Sequence, residues 1–140
     1  MKRSLSLIVI GFFALVIGMS CKKAIEKKAQ NMLMDVITNG VWIVEQYFEG
    51  SNNISGQFLN YTFQFYENGT VKGTLGTNVA NGTWEADIDK YTITSEFPGA
   101  GDPLVKLNYT WLIKDSYVDY VEAETTTTAG KNILHLRKKP

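Results

Sequence analysis

From Gly40 onward, apolar and polar side chains alternate along the chain with a period of two. Alternation of this kind, in segments rich in aromatic and β-branched residues, predicts β-strands. The eight predicted strands are Val41–Glu49, Phe58–Glu67, Thr70–Gly76, Val79–Asp87, Tyr91–Phe97, Val105–Lys114, Tyr117–Glu124 and Asn132–Lys138. Their connections are mostly short, and Asn68-Gly69 is typical of a hairpin turn. Because eight antiparallel strands can close on themselves, the predicted fold is an all-β, up-and-down barrel.

The alternation also predicts which side chains line the barrel. On two strands the inward set is Leu59, Tyr61, Phe63, Phe65, Val105, Leu107, Tyr109, Trp111 and Ile113. At one end, the loops Gly50–Gly56 and Pro98–Pro103 connect strands. Five aromatic residues are candidates for a ligand pocket between these loops: Tyr47, Phe48, Tyr61, Tyr109 and Trp111. A packed core is the commoner role for such residues, and a cavity near ~300 Å³ or more would favour a ligand.

A short helix is predicted before the first strand. Its apolar positions follow 3.6-residue spacing: Ile25, Ala29, Met32, Leu33, Val36 and Ile37. Asn39-Gly40 is a suitable end, because glycine readily adopts a left-handed conformation after a helix. The helix either packs this stripe against the barrel or lies on a lipid surface. The absence of Trp and Phe from its apolar face favours packing.

The first twenty residues are typical of a secretory signal. Lys2 and Arg3 precede an apolar run, and the small residue Ser20 stands before Cys21. The run is short for a transmembrane helix, which needs roughly 20 apolar residues. An uncleaved membrane anchor is the alternative. The predicted organisation is a signal peptide at 1–20, a lipid-anchored helical spacer at 21–39 and a barrel domain at 40–140.

The segment Gly18-Met19-Ser20-Cys21 resembles the lipobox of bacterial lipoproteins. That resemblance implies a diacylglyceryl and N-acyl (palmitate-type) anchor on Cys21. As the single cysteine, Cys21 cannot form a disulfide within the chain. Four lysines follow it at positions 22, 23, 27 and 28, where they would face an anionic leaflet. No acidic residue directly follows the cysteine, so we expect the periplasmic face of the outer membrane, with surface display as the alternative.

Charge excludes one class of partner. Loss of Lys2 and Arg3 with the signal leaves 12 basic and 14 acidic residues, a net charge of −2. Between residues 29 and 130, four lysines face thirteen acidic residues. Such a body lacks the basic surface that nucleic-acid binding requires.

The motif Gly40-Val41-Trp42 resembles the Gly-x-Trp signature of lipocalins. In that family an Arg or Lys of the last strand covers the tryptophan and closes the barrel floor, which implies a Trp42–Arg137 pair here. Val118-Asp119-Tyr120 faintly resembles the lipocalin Thr-Asp-Tyr motif. A Phe-rich strand with Asn-Gly-Thr (Phe63–Thr70) and a second Gly-x-Trp (Gly82–Trp84) resemble small lipocalin-like lipoproteins of Bacteroidetes. The resemblance implies a binding module for a hydrophobic ligand.

No catalytic constellation is evident, so we expect neither an enzyme nor a cofactor. His135 is the single histidine, and no nucleophile is paired with it in the sequence. Glu85, Asp87 and Asp89 alternate and offer oxygen ligands suited to calcium, but a solvated strand face is the commoner explanation. We therefore predict no metal site. Two functions remain: a barrel that binds a small hydrophobic ligand or lipid, and a filled barrel that contacts envelope proteins or glycans.

Overall fold

The computed structural model describes Ala24, Lys28 and residues 31–140. The chain divides into two compact units, Met1–Leu33 and Met34–Pro140, and the barrel lies in the second. The predicted signal peptide and Cys21 lie outside the described residues. No helix in the described part is long and apolar enough to cross a membrane.

Nine antiparallel strands form one sheet, and eight of them close into a barrel. Their bounds are β1 Trp42–Glu49, β2 Asn52–Asn53, β3 Tyr61–Phe65, β4 Thr70–Leu75, β5 Asn78–Asp87, β6 Thr92–Glu96, β7 Thr110–Tyr117, β8 Tyr120–Thr127 and β9 Gly130–Lys138. Neighbours pair in chain order from β3 to β9, and β9 returns to pair with β1 along its length. The two-residue β2 is an addition to β1. The predicted eight-stranded up-and-down barrel is thus confirmed.

Two predicted strand starts are wrong. Ser55–Phe58 and Leu104–Leu107 are short 3-10 helices, so β3 begins at Tyr61 and β7 at Thr110. The residues from Leu59 to Phe65 and from Val105 to Tyr109 alternate apolar and polar side chains, so the pattern alone extends each strand back to the 3-10 helix. The apolar side chains of the two helices instead turn over one end of the barrel, where they cover its interior.

The hairpin between β7 and β8 also differs from the prediction. The turn lies at Val118-Asp119 instead of between the predicted strand bounds Lys114 and Tyr117, and β8 continues to Thr127, beyond its predicted end at Glu124. Polar threonines are compatible with this strand because their β-branched side chains suit an exposed sheet face.

The helix before β1 occupies residues 31–38 of the described chain. It ends as predicted, because Gly40 has a φ of +89°. Within the second unit, Ile37 is buried and its carbonyl oxygen accepts a hydrogen bond of 2.9 Å from Trp42 Nε1. The end of the helix is therefore joined to the start of the barrel.

The antiparallel strands give the barrel two distinct ends. The helix end carries the chain entry at Gly40 and the turns 66–69, 88–91 and 118–119. The loop end carries the connections 50–60, 76–77, 97–109 and 128–129. The two loops predicted to flank a ligand pocket, Gly50–Gly56 and Pro98–Pro103, both lie at the loop end.

Candidate functional site

The barrel interior is almost completely filled. Its largest fully buried side chains are Trp42, Tyr47, Phe58, Phe97 and Val71. The cavity that remains among the described residues has a volume of about 50 Å³. Sites for drug-sized ligands measure ~300–1,000 Å³, and even benzene occupies a cavity of ~150 Å³ in another protein. The closed barrel therefore has no room for an acyl chain.

The wall of this cavity is apolar. Phe63, Val71, Trp111 and Leu134 contribute to it, and Ser95 is its single polar residue among those described. The Ser95 hydroxyl donates a hydrogen bond of 2.5 Å to the Leu107 carbonyl oxygen. A small cavity without free polar partners holds no well-bound water.

The two 3-10 helices close the loop end. Phe58 from the first and Leu104 and Leu107 from the second are buried. The Phe58 ring stacks on Tyr47, with 5.4 Å between centroids and 15° between planes. These side chains occupy the position where an open barrel would have its mouth, and we call the two helices the lid.

The Tyr47 hydroxyl connects the lid to the barrel wall. It donates a hydrogen bond of 2.5 Å to the Lys106 carbonyl oxygen and accepts one of 3.3 Å from Asn132 Nδ2. Tyr47 is fully buried, and Asn132 is buried as well. Burial raises the pKa of the Tyr47 hydroxyl, because the low-dielectric interior disfavours the phenolate.

Asn108 holds the other side of the lid. Its Oδ1 accepts a hydrogen bond of 2.7 Å from the Phe97 amide, and its Nδ2 donates one of 3.3 Å to the Phe97 carbonyl oxygen. Trp111 Nε1 donates to the Leu107 carbonyl oxygen at 3.1 Å. The lid is thus held by side chains from three separate segments, so its closure does not depend on one contact.

An ion pair stands at the rim of the lid. Lys106 Nζ lies 2.5 Å from Glu49 Oε1. The hydrogen bond to Glu49 raises the pKa of Lys106. Both side chains remain partly exposed, and an exposed pair of this kind contributes only ~0–1 kcal/mol.

Four of the five aromatic residues predicted for a ligand pocket lie near the lid. Tyr47 meets Trp111 edge to face at 5.8 Å, and Tyr109 meets the same tryptophan at 5.8 Å. Tyr61 stacks on Phe63 at 6.0 Å. Tyr47 and Trp111 are buried, Tyr61 is half-buried and Tyr109 is 36% exposed. The structure brings these rings together mainly as packing partners.

Phe48, the fifth of these residues, is half-buried and lies on the opposite face of β1 from Tyr47. The register of β1 against β9 shifts at a β-bulge between Val44 and Gln46. The extra residue, Glu45, inverts the alternation, so that Tyr47 rather than Phe48 points inward after it. The sequence pattern does not reveal this bulge.

Three residues predicted to face the interior are exposed instead. Leu59 is 72%, Val105 is 40% and Tyr109 is 36% exposed. All three lie in or beside the 3-10 helices, where a period of three replaces the period of two. The lid was therefore not predicted, although the turn-forming residue Gly56 lies in its first helix and Gly101 and Pro103 precede its second.

Trp42 closes the helix end of the barrel, but its cationic partner is not Arg137. Lys138 Nζ lies 5.3 Å from the Trp42 ring centroid. Trp42 pairs with Lys138 across β1 and β9, whereas Arg137 pairs with Ile43 and points to the opposite face. The predicted pair is corrected by one residue, because side chains alternate between faces along a strand.

Arg137 belongs to a cluster on the outer face. Its guanidinium carbon lies 4.6 Å from the Tyr120 ring centroid, and its Nε donates to Glu45 Oε2 at 3.0 Å. His135 meets Tyr120 edge to face at 5.6 Å, and its Nε2 lies 3.5 Å from Glu122 Oε1. These contacts account for His135 without any nucleophile beside it in the described chain.

One of the three alternating carboxylates caps a turn. Asp87 Oδ1 accepts hydrogen bonds from the amides of Asp89 and Lys90, at 3.1 and 3.2 Å. This arrangement caps the β5–β6 turn. In the described part of the chain, no group of three or more His, Cys, Asp or Glu side chains is placed to hold a metal ion.

A cleft interrupts the barrel wall between β1 and β3. It has a volume of about 330 Å³ and is open to solvent. Its lining includes Val44 on β1, Phe58 and Leu59 before β3, Tyr61 on β3, and Lys139. Within the described chain, Trp42–Phe63 is the one ladder pair between these strands. This recess on the side of the barrel is thus larger than the interior cavity.

The fold and the filled interior define a class: closed eight-stranded antiparallel barrels with a short helix before the first strand. Among solved structures, the chain is similar to a DUF4847 family protein from Bacteroides vulgatus ATCC 8482. The TM-score is 0.53 at 12% sequence identity, and the match covers 77% of this chain and 99% of that chain. At such identity the likeness shows the fold alone. No family model and no curated protein matches the chain.

Proposed function

We propose that this protein is a membrane-anchored lipoprotein whose filled barrel serves as an interaction module in the cell envelope. One observation supports the role of the barrel as an interaction module. The interior cavity of about 50 Å³ lies beneath a hydrogen-bonded lid. A barrel in this state exposes its outer face and clefts to partners, and it does not enclose a ligand.

The anchor is supported by the sequence around Cys21. The residue ends a lipobox-like segment, and lysines at 22, 23, 27 and 28 follow it. Stable anchoring generally takes two acyl chains, or one chain with a basic patch. The proposal places the protein on the outer membrane, on its periplasmic face. The anchor then holds the barrel close to the membrane surface, where the barrel contacts neighbouring envelope proteins or glycans.

Substitution of the cysteine tests the anchor. Cys21→Ala should leave the signal uncleaved and the protein without lipid, because no thiol remains for lipid attachment. Ser6→Ala, inside the apolar run, should be processed and lipidated normally. Normal signal cleavage of Cys21→Ala would refute the lipid anchor.

In-cell photo-crosslinking tests the interaction. A photoreactive residue at exposed Val79, which lies at the loop end, should give discrete adducts when the chain is anchored. The Cys21→Ala form, which carries no lipid, should lose them. Absence of adducts from Val79, from Val118 and from Leu59, all exposed, would contradict an interaction role.

A second candidate is the binding of a small hydrophobic ligand or lipid. The apolar wall of the interior favours it, although the lid must move before anything larger than the present cavity can enter. Denaturing extraction and mass spectrometry of protein purified without detergent distinguish the two. A stoichiometric apolar molecule would support the ligand, and its absence would leave the interaction module.

A further inference from the structure

The β1–β3 cleft presents main-chain edges that the barrel does not use. β1 and β3 share the pair Trp42–Phe63, and no ladder pair of the described chain continues to Val44 and Tyr61. At its far side, the cleft ends where the Tyr47 carbonyl oxygen accepts the Ile54 amide and the Tyr47 amide donates to Ser55 Oγ. A stretch of β1 on the order of 10 Å therefore lacks a neighbouring strand on this side.

The register decides the direction of the Val44 main chain. The Lys139 amide donates to the Val41 carbonyl oxygen, so Val41 faces β9. In an antiparallel ladder successive residues face opposite neighbours. Trp42 and Val44 therefore direct their N–H and C=O groups away from β9 and toward β3.

The same reasoning applies to β3. The Tyr66 amide donates to the Thr70 carbonyl oxygen, so Gln64 and Thr62 face β4 along the ladder. Tyr61 and Phe63 consequently face β1. Two strand edges, one at Val44 and one at Tyr61, thus confront each other across the cleft.

The side chains around these edges are mostly apolar. Phe58 is buried beneath the cleft, and Leu59 is 72% exposed beside it. Asn60, which has a φ of +69°, turns the chain from the 3-10 helix into β3 and leaves Leu59 on the surface. Lys139 supplies the one charged side chain among the described lining residues.

We propose that the β1–β3 cleft binds an extended peptide segment of an envelope partner, with an apolar side chain against Phe58 and Leu59 and an acidic group facing Lys139. The proposal rests on the interaction function proposed above and names the site and the chemistry of the partner. An extended main chain is favoured as occupant because its alternating N–H and C=O groups match the free edges. Strand addition to an open sheet edge is a general mode of peptide recognition.

Binding of a defined probe tests this. The probe is a short, end-blocked peptide of alternating valine and threonine with a terminal glutamate, added to isotope-labelled full-length protein in detergent micelles. Amide exchange at Val44 and Tyr61 should be slowed by the peptide. A version N-methylated on one edge should bind about tenfold more weakly, because it loses two main-chain hydrogen bonds. Equal binding of the two peptides would overturn the proposal. Changes in amide exchange confined to other faces of the barrel would overturn it as well.

Two matched variants test whether the probe peptide binds at the β1–β3 cleft. Leu59→Asp should weaken probe binding about tenfold, since one apolar contact is lost and a carboxylate opposes the acidic peptide. Val118→Asp, at a position with the same 72% exposure on the helix end, should bind like the parent. A concentration-dependent dimer that Leu59→Asp dissociates would instead identify a second copy as the occupant. Crosslinking from Val79 or Val118 without probe binding would reject the cleft while leaving the interaction function standing.

Discussion

The lid is held by a tyrosine whose hydroxyl is fully buried, and Tyr47→Phe removes that hydroxyl with little change in shape. The Lys106 carbonyl oxygen then loses a donor at 2.5 Å, and Asn132 Nδ2 loses an acceptor at 3.3 Å. Leaving one buried polar group unsatisfied costs ~1–3 kcal/mol. The longer Asn132 bond is the weaker of the two, so we expect a total loss of about 2–3 kcal/mol.

Thermal unfolding followed by circular dichroism measures this loss. For a domain of about 100 residues, 1 kcal/mol corresponds to roughly 4 °C in Tm, so Tyr47→Phe should melt about 8–12 °C below the parent. Tyr109→Phe is the matched control, because Tyr109 is partly exposed and its hydroxyl has no hydrogen bond within the described chain. It should stay within about 0.5 kcal/mol of the parent. A Tyr47→Phe loss no larger than that of the control would refute the role of Tyr47 in holding the lid.

The dependence of folding stability on alkaline pH tests the burial of the Tyr47 hydroxyl independently. In the unfolded chain a tyrosine ionises near pH ~10, and burial raises the pKa of Tyr47 in the folded state. The linked stability is complete below pH ~10 and is lost as the pH rises further, by up to ~1.4 kcal/mol per pH unit. Tyr47→Phe should remove this contribution, so its stability should fall less steeply above pH ~10. Parallel pH profiles for parent and variant would argue against a buried phenol at this position.

Two further substitutions test the packing of the barrel. In Gly82→Ala the new Cβ would meet the Glu96 carbonyl oxygen and approach Phe97 Cδ1 to 2.9 Å, so we expect a loss of more than about 3 kcal/mol in urea unfolding or a failure to fold. The control Gly101→Ala, whose Cβ meets no described atom within 4 Å, should be nearly neutral, and equal stabilities would contradict the proposed collision. Lys138→Met should cost about 0.5–1 kcal/mol by removing the cation over Trp42. If Lys139→Met has the same effect in urea unfolding, the ring contact contributes nothing measurable.

The strand pattern and the hairpins are local properties, and the amino-acid order determines them. A period of two, together with turn formers such as Asn68-Gly69, specifies strands and hairpins wherever neighbouring residues decide the backbone. The two Gly-x-Trp motifs were also informative. Gly82 leaves room for Phe97 against the strand, and Trp42 closes the helix end.

Contacts between residues far apart in sequence decided which side chain of β1 points inward and which cation covers Trp42. The bulge at Glu45 selects Tyr47 over Phe48 for the interior, because the register against β9 has to shift there. That same register places Lys138 instead of Arg137 over the tryptophan. Neither choice is visible in a periodic pattern, since both follow from how two strands far apart in sequence align.

The lid and the cleft show this dependence most clearly. The residues from Val105 to Tyr109 alternate like a strand, yet Leu104–Leu107 folds as a 3-10 helix because the open end of the barrel offers apolar surface to cover. Covering that end leaves a cavity of about 50 Å³ inside, and the short β1–β3 pairing leaves one of about 330 Å³ outside. Cavity volume is the difference between the space that the strands enclose and the side chains that fill it, so it is set only when every element has found its place.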